Sequence, residues 1–464
     1  MNTLGPSLWM SDAGDAFAQA RERGVPVLLY WGAGWCPPCN RVKATIFNRP
    51  DFAARAGAMV ALHVDGDSAG AQQMAERFKM RSYPTLIVFR PDGSELTRLP
   101  CEVDGERFVQ LLDLALRAPF SVAQSMQAVL SGERTLGDDE WRMLAYYAWD
   151  CDERQVLGTL DLATTLARLT RTCTLDEASV RLEWHALHAA CEADRDNIDK
   201  AGALAHMEAM LADPLQVRAQ RDIVTNYAGD LVRYLAVPQS EQCAHLAAMW
   251  AQALVQLETD PTVTLPDQLA ALRARVRVSR LGLPIEGLNE LAHARIDHAT
   301  ATVNEPALRH IVMNTAAGIL SDAGLLNEAE SLLLAELNRS HAPFYFMHNL
   351  ATIAKKRGDP LAAVSWYEQA WKRATGSATR LQWGTTYLHG LIDFAPHDAA
   401  RIEQVARVLL REVGETRDAY FQRNRMQMQR IDRKLATWGE GGEYAAALRQ
   451  AARVIPNRPR ALGF

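Results

Sequence analysis

Near residue 119 the chain stops carrying strand signals. Before that point short apolar runs alternate with helical periodicity; after it almost only helical periodicity remains. The chain has 464 residues, too many for one hydrophobic core, and that length predicts about two to four domains. No apolar run approaches the ~20 residues that cross a bilayer, so no membrane partner is expected. The net charge of −5 offers no electrostatic case for nucleic acid. The N-terminus, MNTLGPSLWMSDAGDAF, lacks a basic and then an apolar stretch, so no signal peptide is read in it. A cytoplasmic location is expected, with the periplasm as the alternative if a signal was removed. Five of the seven cysteines (Cys101, Cys151, Cys173, Cys191, Cys243) are scattered singly, unlike a disulfide framework.

In the first segment, Ser11 is expected to cap a helix that ends at Gly24. Val25–Trp31 is an apolar run suited to a buried strand. A helix follows the WCPPC motif, Met59–Asp65 is a second strand, and residues 69–79 form a helix. Thr85–Arg90 is a third strand, Pro91-Asp92-Gly93 a turn and Ser94–Leu99 its hairpin partner. Asp104 caps a last helix. The order α-β-α-β-α-β-β-α makes one mixed sheet with helices on both faces.

From Ser121 onward roughly fifteen helical segments are expected from ordinary helix and loop lengths. One repeat is legible. Gly324 and Gly358 are 34 positions apart, with Ala317 and Ala351, Ala329 and Ala363, and Leu333 and Tyr367 at matching offsets. The stretch FMHNLATIAKKRGDPLAAVSWYEQAW resembles a tetratricopeptide repeat, with Asn349, Leu350, Ala351, Gly358, Asp359, Ala363, Tyr367 and Ala370 at that motif's signature offsets. The likeness covers residues 310–376. A third copy, 377–413, is degenerate and has Pro396 where its turn should be. Residues 119–300 show helix pairs without a clean period and are read as an α-solenoid. The expected organisation is a mixed α/β domain over 1–118, a helical region over 119–300 and tetratricopeptide-like repeats over 301–464.

Cys36-Pro37-Pro38-Cys39 sits between the first strand and a helix. Two intervening residues at a helix start let the thiols close a small disulfide loop. The unpaired N–H groups and positive dipole end there stabilise a thiolate on Cys36. Cys36 is then the nucleophile and Cys39 resolves the mixed disulfide. The competing reading, half of a zinc site, needs a second Cys or His pair, and residues 1–118 hold none at a plausible spacing. Metal is expected at neither the motif nor elsewhere, and the redox-active pair needs no added cofactor.

VLLYWGAGWCPPC, then SYPTLIVF, then a hairpin and a terminal helix resemble the thioredoxin family over residues 10–118. The resemblance implies an α/β thioredoxin fold, followed here by an all-α region. It implies that Pro84 is cis beside the Cys pair, that its neighbours, Tyr83 among them, offer main-chain hydrogen bonds to substrate, and that Trp35 lines the docking groove. Against the family pattern, the Asp six residues before the first Cys is Tyr30, the accompanying Lys is Ala61, and Pro-Pro replaces Gly-Pro. The usual buried proton acceptor for Cys39 is therefore absent, and a phenol with a reference pKa near ~10 is a poor substitute.

Cys101 takes the slot before the last helix where the family commonly has Gly. It reads either as a third thiol able to relay a disulfide or as a small packed residue. His185, His188 and Cys191, with Glu192, share one helix; an interhelix face is the expectation and a metal site the alternative. Trp366, Tyr367 and Trp371 read as core between repeats or as a peptide groove. The basic run Arg417 to Lys434 reads as a solvated helix face.

The function expected is thiol–disulfide exchange on protein thiols and disulfides, as a reductase or isomerase in redox homeostasis, with the helical repeats binding a substrate or partner. The alternative is a protein-binding scaffold whose first domain is a redox-regulated accessory.

Overall fold

A computed structural model of the protein describes residues 8–196, 198–282, 285–414 and 417–438. The end of the 301–464 region, residues 439–464, lies outside the described residues. Contacts divide the chain into two compact units: Met1–Tyr30, Cys36–His63 and Pro84–Leu325 in the first, Trp31–Trp35, Val64–Tyr83 and Leu326–Phe464 in the second.

The N-terminal sheet has five strands: β1 (Trp9–Met10), β2 (Val27–Gly32), β3 (Val60–Asp65), β4 (Thr85–Phe89) and β5 (Glu95–Leu99). Their order is β1-β3-β2-β4-β5, with β1 parallel to β3 and β4 antiparallel to β5. The central strand β2 is buried along its whole length, as a continuous apolar run requires when both faces are covered. The helices are α1 (Ala13–Arg23), α2 (Pro37–Val42), α3 (Pro50–Ala53), α4 (Ala71–Arg77) and α5 (Gly105–Arg117). Two details differ from the sequence reading. Asp12, not Ser11, caps α1, its carboxylate accepting the Asp15 N–H at 2.9 Å. The two-residue edge strand β1 was not anticipated, because it is too short to show alternation; it is held by Trp9, whose ring meets Phe47 at 4.8 Å and Phe52 at 6.2 Å.

The hairpin edge of this sheet is covered from beyond the domain. The Ala148 N–H donates to the Arg98 carbonyl at 3.1 Å, and the wholly buried Arg98 pairs with Glu95 at 3.0 Å and donates to the Cys151 carbonyl. Covering an edge strand removes a template for unwanted pairing.

In the first unit the helical residues build a core around Trp184 and Trp250, whose rings meet edge-on at 5.4 Å. Trp250 donates its indole N–H to the Val224 carbonyl at 2.8 Å.

In the second unit the helices Pro343–Lys356 and Pro360–Arg373 pack as a pair. Gly358 between them adopts φ +76°, and Asp359 caps the second helix through the Ala362 N–H at 2.9 Å. Ala351 and Ala363 are fully buried, and Tyr367 and Trp371 belong to the same core. The helices Ser377–Phe394 and Ala399–Gly414 continue this packing, with Pro396 in their connection. Gly384 marks the closest approach: a Cβ there would lie 2.2 Å from Leu409 Cδ2 and 2.8 Å from Trp371 Nε1. Gly384→Ala is therefore expected to cost roughly 1–3 kcal/mol through overpacking, read as a lower urea midpoint. An unchanged midpoint would mean the helices separate freely at that crossing.

Candidate functional site

Pro37 and Pro38 open α2, where a missing N–H costs nothing. Cys36 is the N-cap, in extended conformation (φ −76°, ψ 119°), and its Sγ accepts the Cys39 N–H at 3.4 Å. The second sulfur thus lies one turn inside, and the helical run continues as a wider π-type turn over Lys43–Phe47. Cys36 is 4% exposed and Cys39 has no exposure. The sequence leads one to expect an open sulfur at the helix start; the position is as expected but the surface is covered.

The remainder of α2 explains part of that covering. It packs against the helix Pro306–Ala323. Arg41 pairs with Asp267 at 2.7 Å and donates to the carbonyls of Cys101 at 2.8 Å and Glu102 at 3.0 Å. One guanidinium therefore ties the dithiol helix to the Cys101 loop and to the helix Leu265–Ser279. Burial lowers the pKa of Arg41, but the Asp267 charge and hydrogen bond outweigh it and hold it above its ordinary value.

Cys101 lies beside Pro84, with its Sγ 3.8 Å from the Pro84 carbonyl oxygen. Burial pushes its thiol pKa well up, and Cys151 and Cys39 add to the rise. Pro84 itself is buried.

In the second unit, Trp35 is held by residues far along the chain. Its indole N–H donates to Thr379 Oγ1 at 2.7 Å. Its ring meets Trp383 at 5.7 Å, Tyr345 at 6.0 Å, Phe344 at 6.4 Å and Tyr83 at 6.0 Å. Thr379 is fixed in turn by Asp67, which accepts its N–H at 2.8 Å and its hydroxyl at 2.5 Å. His341 Nε2 lies 3.0 Å from the Gly34 carbonyl. A cavity of about 460 Å³ opens beside Trp35, lined by Asp65, Asp67, His341 and Phe344 among others.

Tyr83 is turned inward. Trp31 lies 4.4 Å from its ring on one side and the Arg423 guanidinium 4.3 Å on another, and burial pushes its phenol well above the ordinary value. The basic run is accordingly no plain solvated face. Arg423 donates to the Arg81 carbonyl at 2.7 Å and Arg425 pairs with Glu76 at 2.7 Å.

Thr379, Trp383, Phe344, Tyr345, Arg41 and Asp267 were not singled out by sequence reasoning. Contacts such as Trp35 to Thr379 span 344 positions and leave no mark in spacing. The His185, His188 and Cys191 group does not converge. His185 is buried and hydrogen-bonded to Tyr227 at 3.1 Å, and burial lowers its pKa to about 3. His188 stacks on the Tyr227 ring at 3.7 Å, and Cys191 Sγ faces the Asp230 carbonyl at 3.7 Å. Among the described residues no group of three His, Cys, Asp or Glu could hold a metal ion, and no helix is long and apolar enough to cross a membrane.

A mixed five-stranded sheet whose central strand runs into a Cys-x-x-Cys helix start defines a thioredoxin-like fold carrying a dithiol. Residues 13–116 match the model of the thioredoxin-like domain family. Over 99 residues the chain is 33% identical to the thiol:disulfide interchange protein DsbD of Pseudomonas fluorescens, covering 20% of this chain and 17% of that protein. Over 86 residues it is 35% identical to the thiol:disulfide interchange protein DsbD 1 of Pseudomonas aeruginosa, covering 18% and 15%. The chain thus spans only about a sixth of the length of these curated relatives. A solved structure titled DsbH oxidoreductase aligns with 25% of this chain and 90% of its own, at 19% identity and a TM-score of 0.23.

Proposed function

We propose that this protein is a thiol–disulfide oxidoreductase acting on protein thiols and disulfides. The observation that carries the reading is Cys36 at the N-cap of α2 with its sulfur on the Cys39 N–H. That environment favours a thiolate. Cys36 attacks a substrate disulfide and Cys39 resolves the mixed disulfide, so the pair is its own redox group and needs no added cofactor. The reading assigns substrate contact to Trp35, Tyr83 and Pro84, of which Tyr83 is turned inward and Pro84 buried, and takes Cys101 either as a third thiol or as a small packed residue. The likeness of residues 13–116 to thiol:disulfide interchange proteins supports the same chemistry. The helical residues, divided as 119–300 and the tetratricopeptide-like 301–464, select the substrate or partner. The reading places the protein in the cytoplasm, with the periplasm as the alternative; the potential of the pair decides between reductase and isomerase.

A second reading is favoured by one observation. Cys36 is nearly covered, and Trp35 is already engaged by Thr379 and Trp383. A protein whose docking tryptophan is filled by its own residues suits a scaffold with a redox-regulated accessory domain.

The test is a trap. Cys39→Ser is expected to accumulate a mixed disulfide with reduction-competent protein substrates, released by dithiothreitol and absent when Cys36→Ser is added. Failure to form any adduct, with wild-type protein still binding a partner, would favour the scaffold.

A further inference from the structure

In the first unit a cavity of about 520 Å³ opens between the helices Ala228–Leu235, Leu265–Ser279 and Pro306–Ala323. Four arginines line it: Arg233, Arg273, Arg277 and Arg280. The last three stand at i, i+4 and i+7 of one helix and its C-cap, so they share a face. Like charges four apart on a helix repel. Asp322 lies between the first two, its Oδ2 accepting Arg273 Nε at 2.8 Å and Arg277 Nε at 2.7 Å. Asp230 pairs with Arg233 of its own helix at 3.4 Å. Two carboxylates thus meet four guanidinium groups, in a chain whose net charge is −5.

The way these arginines are held matters more than their number. Asp322 takes the Nε of Arg273 and of Arg277, and their terminal nitrogens have no acceptor among the described residues. Arg280 has neither a hydrogen bond nor an ion pair among them. Glycines leave room for two of the guanidinium groups. A Cβ at Gly318 would lie 2.4 Å from Arg273 Cζ and one at Gly229 3.3 Å from Arg233 Nη1, so both groups rest against bare backbone. Arg233 Nη1 also donates to the Gly229 carbonyl at 3.1 Å. A guanidinium fixed at Nε keeps its terminal N–H pair as a planar fork, the shape that matches a carboxylate or a phosphate. The helix dipole explains why cations collect at this C-terminus. It does not explain forks left unfilled beside a cavity.

We propose that this cavity binds a compact polyanion, a small molecule carrying two or more phosphate or carboxylate groups. The row from Arg273 to Arg280 runs about 10 Å along the helix axis, longer than one oxyanion group covers, which calls for at least two. None of the residues that line the cavity is aromatic, so no ring is offered for a nucleotide base to stack on. The volume falls within the range of about 300–1,000 Å³ usual for small-molecule sites. The inference is independent of the thiol chemistry proposed above, since no cysteine lines the cavity.

Isothermal titration calorimetry of the full chain at low ionic strength tests it, with pyrophosphate as the phosphate probe and citrate as the carboxylate probe. At least one is expected to bind and to raise the melting temperature, and the tighter of the two identifies the oxyanion. Arg280→Gln breaks no contact among the described residues. It is expected to weaken that binding about tenfold, the worth of one charged hydrogen bond. Arg407→Gln removes the same charge from an arginine outside the cavity, paired with Glu403 at 2.6 Å, and is expected to leave the affinity unchanged. Neither binding nor a rise in melting temperature with either probe at millimolar concentration would overturn the proposal. So would an affinity that Arg280→Gln leaves unchanged, or one that Arg407→Gln weakens equally.

Discussion

Cys36→Ser is expected to reduce insulin-disulfide turnover to the uncatalysed rate, a loss on the order of 10³-fold or more, as for removal of other enzyme nucleophiles. Only a thiolate attacks a disulfide sulfur at a useful rate, and a serine hydroxyl at the same N-cap remains protonated. The replacement should leave the fold alone, because Ser is a favoured N-cap and can accept the Cys39 N–H as the sulfur does. Unchanged far-ultraviolet circular dichroism with lost turnover would therefore assign the loss to chemistry. Full turnover in the variant would sink the enzyme reading. Negligible turnover by the wild-type protein, joined to tight binding of a partner, would select the scaffold. The low exposure of Cys36 makes that comparison informative: slow alkylation of the native protein and fast alkylation after unfolding would show the sulfur is shielded.

The largest effect on stability is expected at Asp222→Ala. Asp222 pairs with Arg181 through both carboxylate oxygens, at 2.6 and 3.0 Å. The two side chains are 8% and 2% exposed. Arg181 also donates to Gln220 at 3.1 Å and lies 4.1 Å over the Tyr146 ring. Removing Asp222 leaves a guanidinium buried without its counter-charge, at a cost of about 3–5 kcal/mol. A urea midpoint lowered by much less than this would show that water reaches the cation. Replacing both partners with apolar residues of similar volume should recover most of the loss. The pH dependence has a definite sign. Burial raises the pKa of Asp222, but the Arg181 charge and hydrogen bonds outweigh it and the folded value is lowered. The pair's contribution is thus fully present above the unfolded value near ~3.9. It is lost as pH falls through the depressed folded value.

Much of the first domain was legible because its signals are local. The run VPVLLYW read as a buried strand, and β2 is buried throughout. Asp104 read as a cap, and its carboxylate accepts the Arg107 N–H at 2.7 Å. The turn at Pro91-Asp92-Gly93 joins β4 to β5, with Gly93 at φ +87°. The edge strand at Trp9–Met10 and the cap at Asp12 were missed, since two residues show no period and neighbouring Ser and Asp compete equally for a cap. Tyr30 was legible as a departure from the family, but its complete burial in β2 against Trp9, Phe47 and His63 was not, because those ring contacts come from separate elements.

The sequence by itself determined that a dithiol stands where a buried strand turns into a helix, and that small residues let the helices around Gly358 pair closely. Periodicity and side-chain size act over a few residues, so they can be read along the chain. Only the tertiary structure decided that Arg41 is tied to Asp267, that Trp35 rests on Thr379 and Trp383, and that Cys36 has so little open surface. Those outcomes depend on packing between residues hundreds of positions apart, where geometry and desolvation select the partner and no local pattern records it.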